Sequence, residues 1–431
     1  MILNLYNHQK QGLEDTKNFK KVAYFWDMGT GKTFVGSEKA MDLGDNILLV
    51  CQKSKIDDWK KHFLEYYAHK IVLYDLTKKE ELTQYIKAFE IPQYIKVGII
   101  NYDLVFRRKE LKLLKNFTLI LDESSVIQNE KTSRATAILN FNFSNIILLS
   151  GTPVSGKYEK LWSQSNLLGW KISKKLFLKH YTITEKFELP DGTYTNKIIG
   201  YKNIERLKRK LREYGASFLK TEEVMNLPEK TFIDVIIERS KEYKKFNKSK
   251  IIEFEGEKFI GDTPLKFLLY KRLLLGISNE KLNALKDLID CTSNRIIIFY
   301  NFKKEFEEIK KIIKDRPISV VNGDLKDLSA YENYNNSITL VNFQAGAKGL
   351  NLQKANILIF YSPTLSVEDY MQSKKRIHRI GQDKPCFYYK IIAENTIEED
   401  IYNSLERGED FTDYLFKEEK WNLIRKKCMS Y

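Results

Sequence analysis

Short apolar runs rich in β-branched and aromatic residues alternate along this chain with amphipathic stretches of helical spacing, and several runs end directly in polar, chemically capable residues. In the first half the runs are 22–25, 46–50, 96–100, 118–121 and 145–149. They lead into 27–33, Gln52, Asn101-Tyr102-Asp103, Asp122-Glu123 and Ser150-Gly151-Thr152-Pro153. In the second half the runs are 295–300, 318–321, 337–341, 356–361 and 387–392, with 303–314 a helical candidate between two of them. Strands covered on both faces read as continuous apolar runs, so the pattern predicts α/β structure with parallel sheets in two lobes. In such sheets ligands bind just outside the carboxyl ends of the strands, where these polar residues fall.

A length of 431 residues suits about two to three domains, each able to bury its own core. No Pro/Gly-rich linker separates the halves, but 204–250 is dominated by charge and helical spacing. The expected division is a first lobe over 1–225 with a C-terminal helical extension, a helical connector over 226–275, and a second lobe over 276–431. The 72 Lys and Arg against 57 Asp and Glu give a net charge of +15, which favours a polyanion, first of all nucleic acid, as partner. The four cysteines form no CxxC pair, which argues against a zinc module or a secreted disulfide framework. The N-terminus lacks the basic start and apolar core of a signal peptide, and no apolar run reaches membrane-spanning length, so no membrane partner and a cytoplasmic location are expected.

Three motifs carry chemistry. In Asp27-Met28-Gly29-Thr30-Gly31-Lys32-Thr33, Gly29 and Gly31 let the backbone curl around phosphates, and the following helix N-terminus adds positive potential. Lys32 would reach the β and γ oxygens, and Thr33 offers a hydroxyl to Mg²⁺, which prefers oxygen donors. Asp122-Glu123 follows an apolar strand candidate: Asp122 would hold Mg²⁺ and Glu123 would orient and deprotonate the attacking water. Arg376 and Arg379, three residues apart and so expected on one helical face, suit the charge developing on a transferred γ-phosphate. His378 between them is expected to be a polar site residue, whereas Trp59 and Trp162 are expected to pack in cores.

In this order the motifs resemble helicase superfamily two, specifically its Swi/Snf-type branch of double-stranded DNA translocases, over most of the chain. Leu5-Tyr6-Asn7-His8-Gln9 looks like the adenine-recognising segment, which implies Gln9 as the base contact. Residues 27–33 are similar to motif I, which adds Thr30 to the nucleotide-binding set. Residues 46–52 with Trp59 look like motif Ia, Asp122-Glu123-Ser124-Ser125 is similar to motif II, and 149–153 with Leu161-Trp162 look like motif III. In the second half, 297–302 resembles motif IV and Ala345-Gly346-Ala347-Lys348-Gly349-Leu350-Asn351-Leu352 is very similar to motif V. Gln372 and Arg376-Ile377-His378-Arg379-Ile380-Gly381-Gln382 match the Swi/Snf-type pattern rather than that of RNA-unwinding DEAD-box proteins.

The resemblance implies two tandem RecA-like lobes, an ATP site in the interlobe cleft, ATP and Mg²⁺ as cofactors, and Gly349 and Gln372 as further nucleotide-site residues. Trp26 stands where the family usually has an acidic residue, and Ser125 replaces the usual His of motif II. The leading expectation is a minimal, monomeric, ATP-dependent translocase on duplex or branched DNA, working beside replication or recombination proteins. The alternatives are a strand-separating or annealing helicase on forks or RNA, and a nucleotide-gated DNA-binding module with little turnover.

Overall fold

The computed structural model describes residues 3–151, 157–188, 193–224, 227–254, 256–346 and 350–408. The chain divides into two compact units, Met1–Met225 and Asn226–Tyr431. The first carries strands β1 (Lys21–Trp26), β2 (Ile47–Cys51), β3 (Ile71–Asp75), β4 (Ile95–Asn101), β5 (Thr118–Asp122) and β6 (Asn145–Leu149), a hairpin of β7 (Thr182–Glu188) and β8 (Tyr194–Tyr201), and β9 (Ala216–Leu219). Outside the hairpin these form a parallel seven-stranded sheet in the order β3-β4-β2-β5-β6-β1-β9.

Alternate residues of these strands feed two cores, one on each face. Val22, Tyr24 and Trp26 pack with Leu49, Ile120 and Ile147, while Ala23 and Phe25 pack on the opposite side with Val50, Leu121 and Leu148. With both faces covered by helices, burial of each Val, Leu, Ile or Phe side chain contributes about 1.5–3 kcal/mol. That burial holds the carboxyl ends of β1, β5 and β6 side by side.

The second unit carries β10 (Lys230–Ile237), a hairpin of β11 (Ile251–Phe254) and β12 (Glu257–Ile260), then β13 (Ile296–Tyr300), β14 (Ile318–Val321), β15 (Lys326–Asp327), β16 (Ile338–Asn342), β17 (Ile357–Phe360) and β18 (Cys386–Ala393). Its seven-stranded sheet runs β10-β18-β17-β13-β16-β14-β15, parallel except for β15 against β14. The helical connector expected over 226–275 needs correction. The segment opens with β10, which pairs with β18 over its whole length, and its two helices, Lys241–Ser249 and Pro264–Gly276, flank the β11–β12 hairpin. β10 is an edge strand with Phe232 and Ile236 exposed, and it opens on Lys230 and Thr231 and carries Asp234, so it lacks the continuous apolar run of a central strand. No described helix is long and apolar enough to cross a membrane.

One ion pair in this unit is fully buried. Lys281, on helix Asn279–Asp290, pairs with Glu398 on helix Ile397–Glu406, the two side chains 0% and 1% exposed. Glu398 also accepts the Ala393 N–H at 3.2 Å, fixing the last described helix to the end of β18. Lys281→Met would leave that carboxylate buried without its cation, and denaturant unfolding should show this lobe destabilised by about 3–5 kcal/mol. The double variant Lys281→Met/Glu398→Leu should recover much of the loss. Equal instability of single and double variants would contradict the assignment.

Candidate active site

The loop after β1 is shaped by two left-handed glycines, Gly29 with φ 83° and Gly31 with φ 79°. Gly31 caps helix Lys32–Leu43, and a Cβ there would lie 2.1 Å from Gln9 Nε2, so the loop closes against this side chain only because the residue is glycine. Gln9 is buried: its Oε1 accepts the Tyr6 N–H at 2.8 Å and its Nε2 donates to Thr30 O at 3.2 Å. His8 Nε2 reaches the same carbonyl at 2.9 Å, and the buried Thr30 hydroxyl donates to Asp27 O at 2.7 Å. Lys32 Nζ lies along the loop, donating to Trp26 O at 2.8 Å and Asp27 O at 3.0 Å.

Trp26, in place of an acidic residue, is a packing group. It is 1% exposed, donates its indole N–H to Ser217 Oγ at 2.9 Å, and sits where a Cβ on Gly12 would be 2.3 Å away. The departure therefore joins helix Asn7–Asp15 to β1 and β9, and it leaves the glycine loop intact.

Asp122 ends β5 and Glu123 follows it with φ 57°. Asp122 Oδ2 accepts the Trp59 indole N–H at 2.8 Å, and its backbone carbonyl accepts the Tyr102 hydroxyl at 2.9 Å. From the end of β6, Gly151 completes the group: a Cβ on it would be 3.4 Å from Lys32 Nζ and 2.9 Å from Met28 Cγ. Since β5, β6 and β1 are neighbours, the structure brings together Gly29, Thr30, Gly31, Lys32, Thr33, Asp122 and Glu123 at one sheet edge, with Gln9 behind the loop. Motif II is tied to the segment after motif III by Ser124 Oγ donating to Gln164 Oε1 at 2.9 Å and by Ser163 Oγ donating to Ile127 O at 2.9 Å. Ser124, rather than the substituted Ser125, makes that link.

In the second unit Gln372 is on helix Val367–Lys374, but Arg376 and Arg379 are not on a helical face as expected. The helix ends at Lys374, and both arginines lie in the turns that follow. The Leu352 N–H bonds Arg376 O at 3.2 Å, while Gln382 Nε2 donates to Ile377 O at 3.0 Å and Ala355 O at 2.8 Å, binding the turn to the chain after 350. The two side chains still converge: Arg376 Nη1 and Arg379 Nη1 donate to Leu350 O at 3.1 and 3.4 Å, Arg376 Nη2 to Gln372 Oε1 at 3.4 Å, and Arg379 Nη1 to Asn351 Oδ1 at 2.6 Å. Burial lowers the Arg379 pKa, yet a guanidinium remains charged. His378, expected as a polar site group, is held by Pro228 O at 2.8 Å and is 8% exposed, a structural role. Gly349 lies outside the described residues, as do Thr152 and Pro153.

The residues present fit a nucleotide and its metal. Gly31 has no room for a Cβ, Lys32 supplies the charge, and Thr33 with Asp122 are the hard oxygen donors that Mg²⁺ takes. Trp59 engages Asp122 Oδ2, so Oδ1 is the oxygen left for a cation. Sequence reasoning placed Trp59 in the core, where it is, and missed its bond to Asp122, a partner 63 positions away with no local signal. Asn351 and Gln164 were missed as partners for the same reason.

A glycine-loop nucleotide site followed by a second parallel α/β lobe defines the class of ATP-dependent, helicase-type proteins. Family models match accordingly: the SNF2-related domain over residues 2–282 and the helicase conserved C-terminal domain over 280–381. The chain belongs to the SNF2-related family. It is similar to an ATP-dependent helicase of Mycoplasma genitalium, at 25% identity over 93% of this chain and 41% of that protein. It is also similar to the mouse SWI/SNF-related matrix-associated actin-dependent regulator of chromatin subfamily A member 1, at 24% identity over 85% and 38%. The chain thus spans about two fifths of the length of these relatives. Among solved structures, the Sulfolobus solfataricus SWI2/SNF2 ATPase core in complex with double-stranded DNA matches at 20% identity, covering 94% of this chain and 91% of that one, with a TM-score of 0.45.

Proposed function

We propose that this chain is an ATP-driven motor that moves along duplex or branched DNA. The observation that carries the reading is the gathering of Lys32, Gly151, Asp122 and Glu123 at the carboxyl ends of the adjacent strands β1, β6 and β5. Lys32 and the N–H groups of the glycine loop hold the β and γ phosphates, and Thr33 and Asp122 hold Mg²⁺, which neutralises charge on the phosphate oxygens when bound. Glu123 orients a water molecule and takes its proton. Arg376 and Arg379 donate to the γ-phosphate, and Gln372 and Gly349 are assigned to the same nucleotide. The ATP cycle then alternates tight and loose grip on the nucleic acid.

DNA as the track is supported by the +15 charge and by relatives named as helicases and chromatin regulators. The described cysteines are free, in keeping with a cytoplasmic location. We place the protein there as a monomer that meets replication or recombination proteins on DNA.

Steady-state ATPase rates without nucleic acid and with plain duplex, single-stranded DNA, forked DNA and RNA test this reading. Plain duplex should raise turnover at least about tenfold, the scale of a coupling free energy of 1–3 kcal/mol. Stimulation confined to forks, single strands or RNA would replace the translocase with an unwinding or annealing helicase. Absence of turnover with every track would leave a nucleotide-gated binding module.

A further inference from the structure

We infer that Trp59 and Tyr102 are positioning residues for the metal-binding carboxylate of Asp122, an inference that rests on the site proposed above. Neither can ligate the metal in its ordinary state: an indole N–H only donates, and the Tyr102 hydroxyl donates to Asp122 O at 2.9 Å. Their bonds act on Asp122 from two directions. Trp59 Nε1 fixes the side chain through Oδ2 at 2.8 Å, and Tyr102 fixes the backbone where β5 ends. Both donors are buried, at 2% and 3% exposure, so each bond is shielded from water on the donor side.

Trp59 is itself held in place. It lies on helix Ile56–Tyr67, its ring stacked on Phe63 with centroids 5.7 Å apart and edge-on to His62 at 5.8 Å. His62 Nε2 bonds Ser37 Oγ at 2.8 Å, and Ser37 is on helix Lys32–Leu43, one turn beyond Thr33. Helix Ile56–Tyr67 therefore connects the two proposed metal ligands. One end of the connection grips the Asp122 carboxylate, and the other grips the helix that presents Thr33. A carboxylate whose orientation is set by a fixed N–H loses less freedom on binding a cation, and removing such an outer partner typically costs about 10–100-fold in metal affinity.

The test is binding of a fluorescent, non-hydrolysable ATP analogue titrated with Mg²⁺. Trp59→Phe keeps an aromatic ring and removes the N–H. It should leave metal-free nucleotide affinity within about twofold of the parent and raise the half-saturating Mg²⁺ concentration about tenfold or more. Phe63→Leu, a packing lesion beside the same ring, should lower the melting temperature and leave the Mg²⁺ requirement unchanged. Tyr102→Phe should shift the requirement in the same direction and decides the matter if Trp59→Phe does not fold. An unchanged requirement in Trp59→Phe, or in Tyr102→Phe when that variant has to decide, overturns the inference. A shift in Phe63→Leu as large as that in Trp59→Phe does the same. Asp122→Asn separates the two levels of the argument. If it leaves the Mg²⁺ requirement unchanged, the metal site itself is misassigned; if it shifts the requirement and Trp59→Phe does not, only the positioning role falls.

Discussion

Glu123→Gln is expected to reduce ATP turnover by at least about 10²-fold while nucleotide still binds, because the amide keeps the size of the carboxylate but cannot accept a proton from water. Its backbone makes Glu123 a distinctive position: φ is 57°, a left-handed conformation that turns the chain immediately after β5 and separates its side chain from that of Asp122. In the proposed division of roles Asp122, bonded to Trp59, holds the cation and Glu123 serves the water. The measurement is single-turnover hydrolysis together with equilibrium binding of labelled ATP, both with saturating Mg²⁺ and duplex. Lost turnover with retained affinity supports the division of roles. Full turnover in the variant would move the base elsewhere, and lost affinity would mean that Glu123 serves the metal or the phosphates instead.

How far the chain could be read without its structure depended on burial. The ten apolar runs coincide with β1, β2, β4, β5, β6, β13, β14, β16, β17 and β18, and most of these are inner strands with nearly every residue buried. In the two seven-stranded sheets the strands that escaped notice are β3, β9, β10 and β15, all at sheet edges and less fully buried than the inner strands, and the hairpin strands β7, β8, β11 and β12 escaped as well. The glycine loop and Asp122-Glu123 were legible because their spacing is local. The arginines were half legible. Spacing of three correctly brought Arg376 and Arg379 to one carbonyl, but the helix stops at Lys374 because contacts with Leu352, Ala355 and Gln353, far back in sequence, hold the next turns. The bonds of Trp59 to Asp122 and of Ser124 to Gln164 were illegible for the same reason: nothing near either residue announces a partner that only the sheet order brings close.

The same geometry decides which arginine to remove. Arg376 is 4% exposed and bonded to Gln372 and Leu350, so its loss would leave buried acceptors in the second lobe and confuse folding with catalysis. Arg379 is half-buried and held chiefly by Asn351, which preorients its guanidinium while leaving it able to exchange that neutral partner for a phosphate oxygen. Arg379→Ala should therefore lower maximal ATP turnover about 10³-fold or more, the scale on which an arginine acts on a phosphoryl transition state. Affinity for ATP in the absence of DNA should change by no more than about threefold, since uniform ground-state binding is not what the residue supplies. Arg379→Lys should rescue little, because an ammonium lacks the planar fork. The deciding measurement is kcat and KM for ATP at saturating duplex, alongside a melting curve for the second lobe. A raised KM with an unchanged maximal rate would make Arg379 a binding residue of the ground state. A normal rate and a normal KM would remove Arg379 from the chemistry.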